Sequence, residues 1–181
     1  TIATTGDAID FGDLTQGRSQ ISATSDGSRG VFAGGTTGSA PTEIVNTIDY
    51  ITIENLSNAT DFGDLTSTGR QGVAPASDGS RGLFAAGQAY HQAPAAIYID
   101  YITIATLGNA TDFGDLLETR RHLGGASDGS RAVFGGGFAT TATHKNLEYV
   151  SISSPGNAAL FGELTHSTLT QVAATSDGSR G

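Results

Sequence analysis

The sequence predicts an all-β protein built from four imperfect copies of one unit, with four short antiparallel strands in each unit. Three observations predict this class. A Phe-Gly motif recurs at Phe11, Phe62, Phe113 and Phe161, with spacings of 51, 51 and 48 residues. The motif Ser-Asp-Gly-Ser-Arg recurs at residues 25–29, 77–81, 127–131 and 176–180. Short β-branched and aromatic runs alternate with glycine-rich turns, and no segment has helical periodicity.

The first strand of each unit, strand a, is predicted at residues 19–24, 71–76, 122–126 and 170–175. An Asp-Gly pair follows it, at residues 26–27, 78–79 and 128–129. Asp-Gly between two strands is a strong hairpin signal because both central positions of the turn tolerate a positive φ. Each unit should therefore open with a tight a–b hairpin.

The remaining strands, b to d, follow from the same repeat. Strand b is predicted at residues 29–33, 81–85 and 131–134, where an apolar run leads into glycines. Strand c is centred on Tyr50, Tyr101 and Tyr149, with alternating apolar and polar residues. Strand d is short and surrounds the phenylalanine of the Phe-Gly motif.

A unit of four antiparallel strands and about 50 residues has the size of one blade of a β-propeller. One blade cannot bury both of its faces, so Phe62 and Phe113 are expected to be buried between stacked blades. The whole chain, 1–181, is interpreted as a single partial propeller. Its blades are residues 15–65, 66–116 and 117–164, and a split blade combines residues 165–181 with 1–14. A β-solenoid is the alternative, although solenoid coils are usually shorter and lack a regular hairpin.

The split blade lacks strand b and most of strand c, and the chain contains no methionine. The sequence is therefore expected to be a segment of a longer propeller, or to be completed by a partner chain.

These motifs resemble the kelch repeat, in which a hydrophobic strand ends in Gly-Gly and a Tyr, a Trp and an Arg follow. The matching residues are Gly34-Gly35, Gly135-Gly136, Tyr50, Tyr101, Tyr149, Arg18, Arg70 and Arg120. The second unit departs with Ala86-Gly87, and phenylalanine stands near the place of the Trp. The resemblance implies a kelch-like β-propeller with four-stranded antiparallel blades of about 51 residues.

The particular repeat wording also resembles kelch-like proteins of tailed phages of marine bacteria, which are often virion structural or fibre components. This second resemblance implies a virion or extracellular location. Other virion proteins, or a protein or glycan on the host surface, would then be the partners.

Composition excludes several classes of function. The net charge of −9 and the single lysine, Lys145, argue against nucleic-acid binding. No apolar stretch approaches the about 20 residues of a membrane helix, so membrane insertion is not expected. The absence of cysteine excludes disulfides, thiolate metal sites and cysteine nucleophiles. The recurring acids and the four histidines lack metal-ligand spacing, so no metal, cofactor or catalytic residue is predicted.

Two of the recurring acids, Asp64 and Asp115, are expected to form ion pairs with Arg70 and Arg120.

The candidate binding surface consists of the b–c and d–a loops, which should emerge on one face of the propeller. The repeat conserves the strands while these loops vary, and loops on a rigid scaffold commonly carry function. The predicted partner-binding residues are Tyr90, His91, Gln92, Phe138, His144, Lys145, Arg70, Arg120, Arg121 and His122. They predict a non-enzymatic interaction module, with copies of itself or the rest of a longer chain as further partners. The alternative is a carbohydrate-active propeller enzyme whose catalytic residues lie outside this segment.

Overall fold

The computed structural model describes residues 7–38, 43–67, 69–89, 95–139, 144–166 and 171–178. Within these ranges the chain is all-β, without helix, and forms three four-stranded antiparallel sheets. Unit one contains β1 Ser22–Ser25, β2 Arg29–Ala33, β3 Thr47–Thr52 and β4 Thr60–Asp64. Unit two contains β5 Ala74–Ser77, β6 Arg81–Ala85, β7 Tyr98–Thr103 and β8 Thr111–Asp115. Unit three contains β9 Gly124–Ser127, β10 Arg131–Gly135, β11 Asn146–Ser151 and β12 Ala159–Glu163.

Within each sheet, consecutive strands are paired, so the predicted order a-b-c-d is confirmed in all three sheets. The a–b hairpins are also confirmed, but their turns differ from the expected type. Gly27 has a φ of 90°, whereas Asp26 is absent from the residues with positive φ. The Asp26 side chain instead accepts the amides of Ser28 and Arg29 at 2.8 and 2.6 Å. The aspartate therefore shapes the turn through its carboxylate.

Strand a begins about three residues later than predicted. The residues that open the predicted strand include Gln20 and His122, which have a left-handed φ of 55°. A left-handed residue interrupts the ladder, because its dihedral angles turn the chain out of the extended conformation that strand pairing requires. The regular pairing of strand a starts beyond this turn.

A β-bulge in strand d carries the motif phenylalanine. In unit one, Ile48 pairs with Gly63 and Asp49 with Asp61, so Phe62 has no opposite residue. The same shift leaves Phe113 and Phe161 unopposed in units two and three. A bulge redirects the side chain of its extra residue. Each motif phenylalanine contacts the tyrosine of strand c edge-on, with ring centroids 5.8–6.0 Å apart.

The hydrophobic core lies between the units. One cluster joins Phe62 and Ile48 of unit one to Phe84 of unit two. The other joins Phe113 of unit two to Phe134 of unit three. Phe62 and Phe113 are 3% and 2% exposed, which confirms their predicted burial. Stacking of neighbouring units therefore provides the apolar burial that one sheet cannot achieve alone.

The strands predicted around Phe11 and at residues 170–175 are not formed in the described ranges, where residues 7–14 and 171–178 are irregular. Among the described residues, no strand pairs with either segment. Both segments still pack on their neighbours: Asp13 accepts the amide of Ala59 at 2.8 Å, and the amide of Val172 donates to His122 at 3.0 Å.

The glycine pair of unit three is shifted by one residue from the predicted one. Gly34-Gly35 and Ala86-Gly87 follow strand b with positive φ, and the equivalent residues in unit three are Gly136 and Gly137, at 70° and 81°. Gly135 belongs to β10. The left-handed pair lets the chain leave the sheet at the end of strand b.

Candidate functional site

In every unit, the segment that enters strand a lies beside the segment that leaves strand b. Three isolated antiparallel bridges join them: Ser19 to Thr36, Gln71 to Gln88, and Arg121 to Phe138. In each bridge both amides donate to the opposite carbonyl, at 2.9–3.1 Å. We term these the bridge pairs. They place the d–a and b–c loops of each unit side by side, with the same backbone geometry and different side chains.

A left-handed residue follows each bridge pair and connects one unit to the next. These residues are Gln20, Gly72 and His122, with φ of 55°, 64° and 55°, and Gln171, at the equivalent position of the repeat, has a φ of 57°. The amide of Gly72 donates to Gln20 at 3.2 Å, and the amide of His122 donates to Gly72 at 2.8 Å. We term these four residues the inner turns. Their hydrogen bonds hold the entrances of successive strands a side by side.

Unit three brings three of the predicted binding residues together. The rings of His122 and Phe138 stack with centroids 5.6 Å apart and an interplanar angle of 14°. The guanidinium carbon of Arg121 lies 4.5 Å from the Phe138 centroid, within cation–π range. Gly72 leaves room for the His122 ring, because a Cβ at position 72 would lie 2.7 Å from His122 Nδ1. All three side chains are half-buried.

His122 also borders an open depression of about 360 Å³ at the inner turns, together with Gln20, Gly72 and Gln171. Burial lowers the pKa of the His122 imidazole, and the positive charge of Arg121 lowers it further. A histidine with a pKa below its usual 6.5 is mostly neutral at pH 7 and offers one hydrogen-bond donor and one acceptor. The site can thus combine an aromatic face, a cation and neutral hydrogen-bonding groups.

Arg70, predicted on an exposed loop, is fully buried. It donates to the carboxylate of Asp100 at 2.7 Å and to the carbonyls of Ala86 and Tyr98 at 2.9 and 2.8 Å. Burial lowers the pKa of Arg70, while Asp100 opposes this effect. Arg70 therefore ties the segment between units one and two to the strands of unit two and has no surface to offer a ligand.

Arg120 is also fully buried, and it pairs with Glu148 on strand c of unit three. Burial raises the pKa of Glu148, although the nearby Arg120 and the Leu117 amide lower it. The predicted pairs of Asp64 with Arg70 and Asp115 with Arg120 are wrong. Each arginine turns inward, where backbone carbonyls and a strand-c acid accept its hydrogen bonds, and neither bonds to the half-buried strand-d acid.

The other predicted binding residues of unit three, His144 and Lys145, have acidic neighbours. His144 Nδ1 lies 2.5 Å from Glu118 Oε2, and the His144 amide donates to Gly137, next to Phe138. Lys145 donates to Glu163 at 2.7 Å, and both side chains are about half exposed. The predicted residues Tyr90, His91 and Gln92 lie outside the described residues.

Sequence reasoning missed the inner-turn residues Gln20 and Gln171 as part of the site. Aligning the four copies would have placed them level with His122. What the repeat does not reveal is the left-handed backbone, because only Gly72 has the residue type that signals a positive φ.

Neither a protein-family model nor a curated protein sequence matches this chain. Among the residues that the structure describes, no three His, Cys, Asp or Glu side chains form a group that could hold a metal ion. The same part of the chain has no helix long and apolar enough to cross a membrane.

Proposed function

We propose that the three sheets are blades of a kelch-like β-propeller and that the chain is a non-enzymatic interaction module. The four antiparallel strands per unit, the apolar contacts between units and the adjacent strands a support the propeller. A virion or extracellular setting is part of the proposal and rests on the resemblance of the repeat wording.

The bridge pairs carry the binding proposal. One backbone geometry presents Ser19 with Thr36 in unit one, and it presents Arg121 with Phe138 in unit three. Side-chain variation on a constant backbone is typical of a recognition surface. The third pair combines an aromatic ring and an arginine, and Trp, Tyr and Arg are the residues that contribute most often to binding hot spots.

The chemistry of the stack favours a glycan or protein surface as the ligand. Phe138 supplies an apolar ring, while Arg121 and the neutral His122 supply hydrogen-bond donors at its border. The inner-turn depression of about 360 Å³ could accept one sugar or side chain beside them. The net charge of −9 of the whole chain would disfavour strongly anionic ligands.

A double substitution tests this proposal. Arg121→Ser with Phe138→Thr gives unit three the bridge pair that unit one already has, so the backbone should be retained. Binding would be measured on an array of immobilised glycans and on immobilised bacterial cell-surface proteins. The parent chain and the exposed turn variant Ser80→Ala should bind equally, and the double variant should bind at least about tenfold more weakly, a loss of about 1.4 kcal/mol. Equal binding by the double variant would refute the role of the stack.

A further inference from the structure

The face of unit three that points away from unit two is open, and the repeat shows what should cover it. We term this surface, formed by Val133, Leu147, Phe161 and Leu164, the open face. Phe161 is 51% exposed, whereas its equivalents Phe62 and Phe113 are 3% and 2% exposed because the next unit covers them. The apolar contacts that join the units are therefore unmade at this face.

A hydrogen bond between units is also unmade at the open face. Arg29 of unit one donates to the carbonyl of Ile104 in unit two at 2.9 Å, and Arg81 donates to Ile152 in unit three at 2.8 Å. Arg131 is the equivalent residue of unit three. Its side chain is 51% exposed. Among the described residues it bonds to Asp128 at 3.4 Å, and its guanidinium carbon lies 5.9 Å from the Phe161 ring centroid, but it reaches no carbonyl of another unit. The missing partner is a carbonyl at the end of a further strand c.

A backbone contact at strand d is a third contact that is missing at the open face. A Cβ on Gly63 would lie 2.5 Å from the carbonyl oxygen of Gly108, and one on Gly114 would lie 2.4 Å from that of Gly156. In both places the c–d turn of the next unit lies against the glycine. Gly162 is equivalent, and its Cβ would meet nothing within 4 Å. The c–d turn of a further unit is the group that occupies this position elsewhere.

The inner border of the open face is already covered by this chain. Residues 172–176 line a groove of about 460 Å³ together with Phe161 and Leu164. A Cβ on Gly124 would lie 3.0 Å from side-chain atoms of Val172 and Ala174, so this segment stands beside β9 as β9 stands beside β5. The strand-a position of a further unit is therefore taken.

We propose that the open face binds strands b and c, with their c–d turn, of a further unit with this repeat's sequence. In the two interfaces within the chain, strand b contributes Phe84 or Phe134 and strand c contributes Ile102 or Val150. The same hairpin would cover Phe161, give Arg131 its carbonyl and bring a turn to Gly162. A whole second copy would have to displace residues 171–178, since its own strand a needs the same position. This inference does not depend on the proposed binding function.

Extension of the chain tests the proposal directly. Residues 176–181 have the same sequence as residues 77–82, so a copy of residues 83–109 added after Gly181 continues the repeat in register. The extended chain should unfold at a urea concentration about 1 M higher than the parent. The gain should disappear with Phe161→Asp, and also when the copied Phe84 is replaced by Asp.

Arg131 provides a second measurement. Arg131→Ala should leave the urea midpoint of the parent unchanged and should lower that of the extended chain, where the arginine acquires its carbonyl. An extension that leaves the midpoint unchanged, aggregates, or stabilises the Phe161→Asp variant equally would overturn the proposal. Ile53 of unit one is 40% exposed, whereas its equivalents Ile104 and Ile152 are buried between units. A dimer of the parent that both Phe161→Asp and Ile53→Asp dissociate would therefore also overturn the proposal, because the occupant would then be a second copy.

Discussion

The buried arginine–acid pairs are single contacts with large expected effects on stability. Arg70→Met would leave Asp100 charged and without its cation in the interior, at a cost of about 3–5 kcal/mol. Lys145→Met removes a cation of similar reach from a pair whose side chains are 48% and 52% exposed, so its effect should stay within about 1 kcal/mol. Urea denaturation of both variants measures the difference. Equal losses would show that the Arg70 pair is not the buried support described above.

His122 should respond to pH in the direction set by its burial. Its folded-state pKa lies below the ordinary value of 6.5, so the unfolded chain binds more protons around and below that pH. Stability contributed by this group should therefore fall as the pH is lowered through 6.5, and the decline should level off below the folded-state pKa. NMR titration of the imidazole measures the pKa directly. Arg121→Ser should raise the pKa only in part, because burial is the larger cause; a parent value at or above 6.5 would contradict the site geometry.

Strand d contributes to the core through its bulged phenylalanine, and its importance depends on the neighbouring unit. Phe113→Ala should cost about 3–5 kcal/mol, because the ring is 2% exposed between units two and three. Phe161→Ala removes the same side chain from the same bulge where it is 51% exposed, so the cost should be below about 1 kcal/mol. Urea melts of the two variants form a matched comparison. Similar losses would mean that contacts within one sheet, rather than stacking, hold these rings.

Among the described strands, the contacts between units join neighbouring units, as in a stack. Unit two packs on both sides, whereas unit one and unit three each pack on one unit in the described chain. Amide hydrogen exchange should therefore be slowest in β6 and β7 and faster in β11 and β12. Mass spectrometry of exchanged peptides measures this order. Slower exchange in unit three than in unit two would contradict stacking as the main source of stability.

The sequence by itself determined the strand order, the a–b hairpins and the burial of Phe62 and Phe113. These features depend on local signals, Asp-Gly turns and alternating apolar residues, that recur at a regular spacing and so confirm one another. The repeat also placed Phe138, Arg121 and His122 on the b–c and d–a loops, although the stacking of their side chains was not predictable.

Only the tertiary structure decided which groups meet between units. Arg70 pairs with Asp100, 30 residues away in the sequence, and not with the nearer Asp64. The left-handed backbone of Gln20 and His122 is likewise held by hydrogen bonds to neighbouring units, against the preference of these residue types. Such features depend on the distance and orientation of one sheet relative to the next. A repeat pattern reports that units are alike; it does not report how closely they stack or which side chains turn inward between them.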